Sequence, residues 1–84
     1  MAHFAKVDSD NIIREVIVVN NETIENKDFP ASEQIGIAFC KSLFGKDTNW
    51  LQTSYNGNFR GQYAGIGMQY DPSADIFFTP TPVK

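Results

Sequence analysis

The chain has few side chains that could do chemistry. His3 is the one histidine of 84 residues and stands close to the N-terminus, so it reads as a hairpin or surface residue rather than a general base. Cys40 is the one cysteine. It sits in the apolar run IGIAFCKSLF, where a small hydrophobe is expected, which predicts a buried, inert thiol. No second His or Cys lies at metal-ligand spacing, whereas zinc normally takes three or four such ligands. Asp8 and Asp10 fall in DSDN, a turn-forming cluster with too few oxygens for calcium. Asp71 and Asp75 bracket a second turn in the same way. Gly65-Ile66-Gly67 is not a dinucleotide fingerprint, because Tyr70 stands where the third glycine is required. The expectation is a protein without catalysis, metal or cofactor.

What remains is the stretch 53–71, TSYNGNFRGQYAGIGMQYD, which holds four of the six glycines and all three tyrosines. Its candidate binding residues are Tyr55, Asn56, Asn58, Phe59, Arg60 and Tyr63. Tyr55, Gly57, Phe59, Gly61, Tyr63 and Gly65 share one parity; Asn56, Asn58, Arg60, Gln62 and Ala64 share the other. In an extended chain that sets an aromatic and glycine face against a wet polar face. A helix is disfavoured, since three internal glycines would cost roughly 3 kcal/mol. Three readings follow. The stretch is structural, with Asn56-Gly57-Asn58 as a turn and the aromatics in the core. Or it is a surface on which Tyr, Arg and Asn contact a sugar, a base or another protein. The third, phosphate binding at Gly65-Ile66-Gly67, fails on the missing glycine. Aromatic rings and Arg60 could stack on single-stranded nucleic acid, but Phe59-Arg60-Gly61 is not an RNP1 motif.

These residues need elements to hold them. Residues 3–19 read as a β-hairpin turning at 8–11, with a β-branched second strand from Ile12 to Val19. That strand is apolar on both faces near Val19, the pattern of an interior strand. Residues 20–30 are polar and read as a loop. A helix follows over 32–44, with Ser32 as N-cap, Glu33 near the positive end of the dipole and Gly45 at the C-terminal stop. Ile35, Phe39 and Leu43, with Ala38, form its apolar stripe. Gly36 weakens the helix, so packing must hold it. Residues 50–55 read as a strand, and 66–70 with 76–79 as a second hairpin around an Asp71-Pro72 turn. The fold class is α+β: a small, mainly antiparallel sheet with the helix on one face. The chain reads as a single domain over 1–84, with 79–84 an extended Pro-containing tail.

The net charge of −3 with a fifth of the chain charged argues against non-specific DNA binding, which draws on phosphate neutralisation. No apolar run nears the roughly 18 residues of a membrane span. The N-terminus shows no basic and apolar secretory pattern, so the expectation is a soluble protein made in a cytoplasm. A core of this size is marginal and no disulfide staples it, which favours a homo-oligomer.

Two segments carry a resemblance. MAHFAKVDSDNI leading into an IVV strand, and WLQTSYNGNFRGQYAGIGMQYD, resemble small proteins encoded by marine cyanophages of the large tailed type. Those relatives share the N-terminal hairpin, a WxQTSYN segment and YAGIGxxYD running into a Phe-rich strand. The resemblance covers most of the chain and is most specific over 50–71. It implies a phage structural or accessory protein, made in the host cytoplasm and associated with the virion or its assembly, with itself and other phage proteins as partners. It carries over no catalytic residue. Several relatives continue past the position of Phe78 into a Pro/Trp-rich tail, so any role of that extension is expected to be absent or truncated in a chain ending at Lys84. The alternative expectation is a host-directed module contacting glycan or host protein through residues 55–63.

Overall fold

Asp8 organises the first turn. Its Oδ1 accepts the backbone N–H groups of Asp10 and Ile12 at 2.8 and 3.0 Å, while Asn11 takes the left-handed φ of 63° that Asn tolerates better than most residues. The turn joins β1 (Ala2–Val7) to β2 (Ile13–Val19). The antiparallel register runs from Ala2 opposite Val19 to Lys6 opposite Glu15, then shifts so that Val7 faces Ile13. The extra residue at this bulge, Arg14, donates to Asp8 Oδ2 at 2.7 Å. The computed structural model describes residues 1–80. The chain continues as α1 (Ala31–Phe44), β3 (Asn49–Thr53), β4 (Gln69–Asp71) and β5 (Ile76–Phe78). Of the tail expected over 79–84, residues 81–84 lie outside the described residues.

β1 lies at the centre of a three-stranded sheet ordered β2-β1-β3, and β4 pairs with β5 in a separate two-stranded sheet. All three pairings are antiparallel, so the molecule is an α+β fold. β1 divides its side chains between two cores, as the period of two requires. Ala2 and Phe4 join Val19, Ile24, Cys40 and Trp50 on the helix side. Ala5 and Val7 join Ile13, Ala64 and Phe77 on the other. The C-terminal segment therefore covers the face that α1 leaves bare. Phe4 and Phe77 are essentially fully buried, and burying such a side chain stabilises by about 1.5–3 kcal/mol. A bridge from Ile12 to Gln69, with Ile13 N–H donating to Met68 O at 2.8 Å, ties the second sheet to the first.

Several elements depart from the sequence expectations. β2 is an edge strand rather than an interior one, and Val18 is 54% exposed. Its apolar content suits either place, and long-range pairing with β3 gives the centre to β1. The N-cap of α1 is Pro30, which makes no side-chain capping bond. Ser32 lies inside the first turn, fully buried, and donates to Gln52 Oε1 at 2.6 Å. A buried hydroxyl and amide each need a partner, and that need outweighs the cap. The inward stripe is Ser32, Gly36 and Cys40, not Ile35, Ala38, Phe39 and Leu43. Phe39 packs at its margin, while Leu43 is 60% exposed. Small residues face inward because the Phe4 ring fills the space: a Cβ on Gly36 would stand 1.9 Å from Phe4 Cζ.

Candidate functional site

The extended aromatic and glycine face expected over 55–65 does not form. β3 ends at Thr53, and residues 54–68 run through turns and bends. Ser54 starts the reversal: its backbone carbonyl accepts from Gly57 N–H at 3.0 Å and its Oγ from Asn58 N–H at 3.0 Å. Gly57 sits at φ 68°, a conformation that glycine reaches without steric penalty. The turn swings residues 55–59 over the end of the sheet, facing the loop that follows β2.

That second loop is built by Asn20, whose Oδ1 accepts from the backbone N–H and hydroxyl of Thr23, both at 2.8 Å. Ile24, 4% exposed, pins the loop to the core. Between loop and turn lies a cleft of about 420 Å³, lined by Ala2, His3, Ile24 and Thr53 and by residues of both walls. Tyr55, Asn56, Asn58 and Phe59 all line it. From the opposite wall come Asn21, Asn26, Lys27, Asp28 and Phe29. None of these wall residues beyond 55–59 was nominated by sequence. The available signal was Ile24 and Phe29, two apolar residues in an otherwise polar loop.

Aromatic contacts fix the two ends of the cleft. Phe29 and Phe59 stack across it with centroids 3.8 Å apart and planes within 5°. At the other end Tyr55 stacks on His3 at 5.6 Å, and Tyr63 meets both rings at 5.5 and 5.2 Å. Tyr63 thus buttresses the cleft without lining it. Burial, and then the positive N-terminal amine, hold His3 below its usual pKa, so the ring is neutral at pH 7.

Arg60 does not belong to a wet polar face. Its side chain is 9% exposed and turns inward, with the backbone at φ 57°. The guanidinium bonds both carboxylate oxygens of Glu33. It also donates to Asp75 Oδ1 at 2.8 Å and to Gln52 O at 3.0 Å. It lies over the rings of Phe29 and Tyr70 at 5.2 and 5.8 Å. Burial alone would lower its pKa, but the bonds to Glu33 and Asp75 outweigh that and raise it, so the charge is permanent. The other polar residues also divide. Ala64 is fully buried and its N–H donates to Thr53 Oγ1 at 2.9 Å. Gln62 donates from its side chain to Phe77 O at 3.2 Å. Bonds within the chain outbid water at these positions because the backbone bends instead of running straight. Of the expected polar face Asn56, Asn58 and Gln62 stay exposed, Gln62 while still bonded to Phe77 O.

Chemically the cleft can stack and hydrogen-bond. Its ionisable groups are the side chains of His3, Lys27, Asp28 and Tyr55 and the N-terminal amine of Met1. Among the described residues no three His, Cys, Asp or Glu side chains gather as metal ligands, and no helix is long and apolar enough to cross a membrane. Cys40 is fully buried, and burial pushes its thiol up to about 11, so it takes no part. No family model, curated protein or solved structure matches the chain.

Proposed function

We propose that this chain is a non-enzymatic binding module whose ligand enters the cleft between the 20–30 loop and the 54–59 turn. One observation carries the reading. Four of the six residues nominated for binding, Tyr55, Asn56, Asn58 and Phe59, line one concave site of a size typical for small-ligand recognition. The other two act behind it, Tyr63 as a buttress for Tyr55 and Arg60 as the clamp under Phe29. The phage context rests on the resemblance over residues 50–71. Within it, the module is host-directed and contacts a glycan or a protein of the cell envelope. Fluorescently labelled protein is expected to bind intact cyanobacterial cells saturably, and a Tyr55→Ala, Asn58→Ala variant to bind at background level. Equal binding by the variant would sink the proposal.

A second reading, a self-associating virion or assembly component, draws on a different feature. Among the described residues β2 pairs with one strand only, β1. Its outer edge is occupied at Ile13 by Met68 and Gly67, and among the described residues Arg14 to Val19 have no partner along that edge. An apolar open edge is a template for strand addition, and a second β2 in antiparallel register would extend the sheet through a two-fold axis. Light scattering during size exclusion should then report a dimer that Val18→Lys converts to a monomer. A strict monomer at high micromolar concentration removes this reading.

A further inference from the structure

Four asparagines line the cleft, Asn21 and Asn26 on one wall, Asn56 and Asn58 on the other, while the carboxamide of Gln52, also at the cleft, is engaged by Ser32. All four are exposed, and none of their side chains enters the hydrogen bonds found among the described residues, where Asn20, by contrast, is spent on its own turn. Each carboxamide offers two donor hydrogens and an acceptor oxygen. A ligand that satisfies several of them at once must alternate donors and acceptors along its edge. Hydroxyl groups on adjacent carbons do so, each being one donor and two acceptors.

The second requirement is a flat apolar platform. Tyr55 is 68% exposed, yet its ring is held in place by His3 and Tyr63. An exposed aromatic ring fixed by its neighbours stacks at little entropic cost, because its rotamer is already restricted. The third requirement is charge. Lys27 and Asp28 oppose each other in sign, His3 is held below its usual pKa, and Met1, which also lines the cleft, brings the single positive charge of the N-terminal amine. One cation in excess of the carboxylate falls short of a phosphate cradle, which calls for clustered cations or converging backbone N–H groups.

A peptide is disfavoured for a separate reason. Strand addition beside the cleft would use the outer edge of β3. There, Gln52 N–H already donates to Glu33 Oε2 at 2.9 Å and Gln52 O accepts from Arg60. At Gln52 the edge is sealed by side chains of the same molecule.

The geometry points to a neutral saccharide as the ligand class of the cleft. One sugar face lies on Tyr55, and its hydroxyls are shared among Asn26, Asn56 and Asn58. This deepens the proposed function and rests on the cleft being the binding site. The test is a ¹H–¹⁵N NMR titration of the full chain with maltotriose, triacetylchitotriose and galactose. Adenosine monophosphate, inorganic phosphate and a pool of unrelated decapeptides serve as comparators. At least one neutral sugar is expected to shift the side-chain NH₂ resonances of Asn26, Asn56 or Asn58 saturably. Tyr55→Ala should weaken that binding about tenfold, the weight of a single stacked ring, while Tyr55→Phe keeps it. An unchanged melting temperature in Tyr55→Ala separates lost binding from lost folding. If phosphate, the nucleotide or peptides move the cleft resonances and the sugars do not, the ligand class is wrong and the cleft reading stands. If no probe moves them, both are overturned.

Discussion

A glycine in mid-helix destabilises by about 1 kcal/mol relative to alanine, yet at Gly36 the substitution should run the other way. The Phe4 ring lies where the new methyl would go, with three ring atoms within 2.6 Å of the Cβ position. Overpacking of this kind costs about 1–3 kcal/mol. Gly36→Ala is therefore expected to lower the melting temperature by about 10 °C, taking a net 2 kcal/mol in a domain of this size. In the double variant Gly36→Ala, Phe4→Leu the smaller side chain makes room, so the two losses should be less than additive. Additive losses in thermal denaturation would show that the ring is not the obstacle. The sequence made the glycine visible as a weak point; the residue it accommodates lies more than thirty positions away.

At the level of elements, Arg60 joins four pieces of the molecule: α1 through Glu33, β3 through Gln52 O, the β4–β5 turn through Asp75, and the 20–30 loop through Phe29. Removing one partner from a buried ion pair leaves an uncompensated charge and typically costs about 3–5 kcal/mol. Arg60→Ala is expected to lose about 3 kcal/mol by urea denaturation. Arg60→Lys should recover only part, because a point charge cannot serve Glu33, Asp75 and Gln52 together. A variant as stable as the wild type would show the network to be decorative. Asp75 adds a pH signature. The Tyr70 hydroxyl, bonded at 2.5 Å, and then the Arg60 guanidinium hold its carboxyl below the usual carboxylate range. A depressed folded pKa contributes stability above the unfolded value and loses it as pH falls through the folded one. The difference in melting temperature between wild type and Asp75→Asn should therefore be present at pH 6 and shrink from about pH 4 downward. A difference that stays constant to about pH 2 would contradict the pairing.

For the whole molecule, the two cores predict where the fold is firm. β1 is hydrogen-bonded on both sides and buried on both faces. The turn at 55–63 has few backbone bonds, among them Gly57 N–H to Ser54 O and Gln62 N–H to Arg60 O. Such segments open locally at lower free energy than the global transition. In amide exchange, Phe4 and Ala5 should be among the slowest residues, and 55–58 should exchange before them. Equal protection in the two regions would mean that the cleft wall unfolds only with the whole protein.

Much of the architecture was legible from local signals. The Asp8 turn, the end of the 31–44 helix at Gly45 and the Asp71-Pro72 hairpin follow from turn chemistry and chain-stop residues acting within a few positions, although the apolar stripe read for that helix is not its inward face. The α+β class follows from the succession of those elements. The site was legible only in part: Tyr55, Asn56, Asn58 and Phe59 stood out by composition, while Asn21, Asn26 and Phe29 did not. The alternation in 55–65 misled because it assumes an extended backbone, and Gly57 and Gly61 both adopt positive φ there. Strand order, the inward turn of Arg60 and the opposing walls of the cleft depend on contacts such as Glu33 with Arg60, 27 residues apart. Local propensity says nothing about such pairs. They form because a buried charge needs its counter-charge and the bare face of the sheet needs covering, and both needs exist only once the chain has folded.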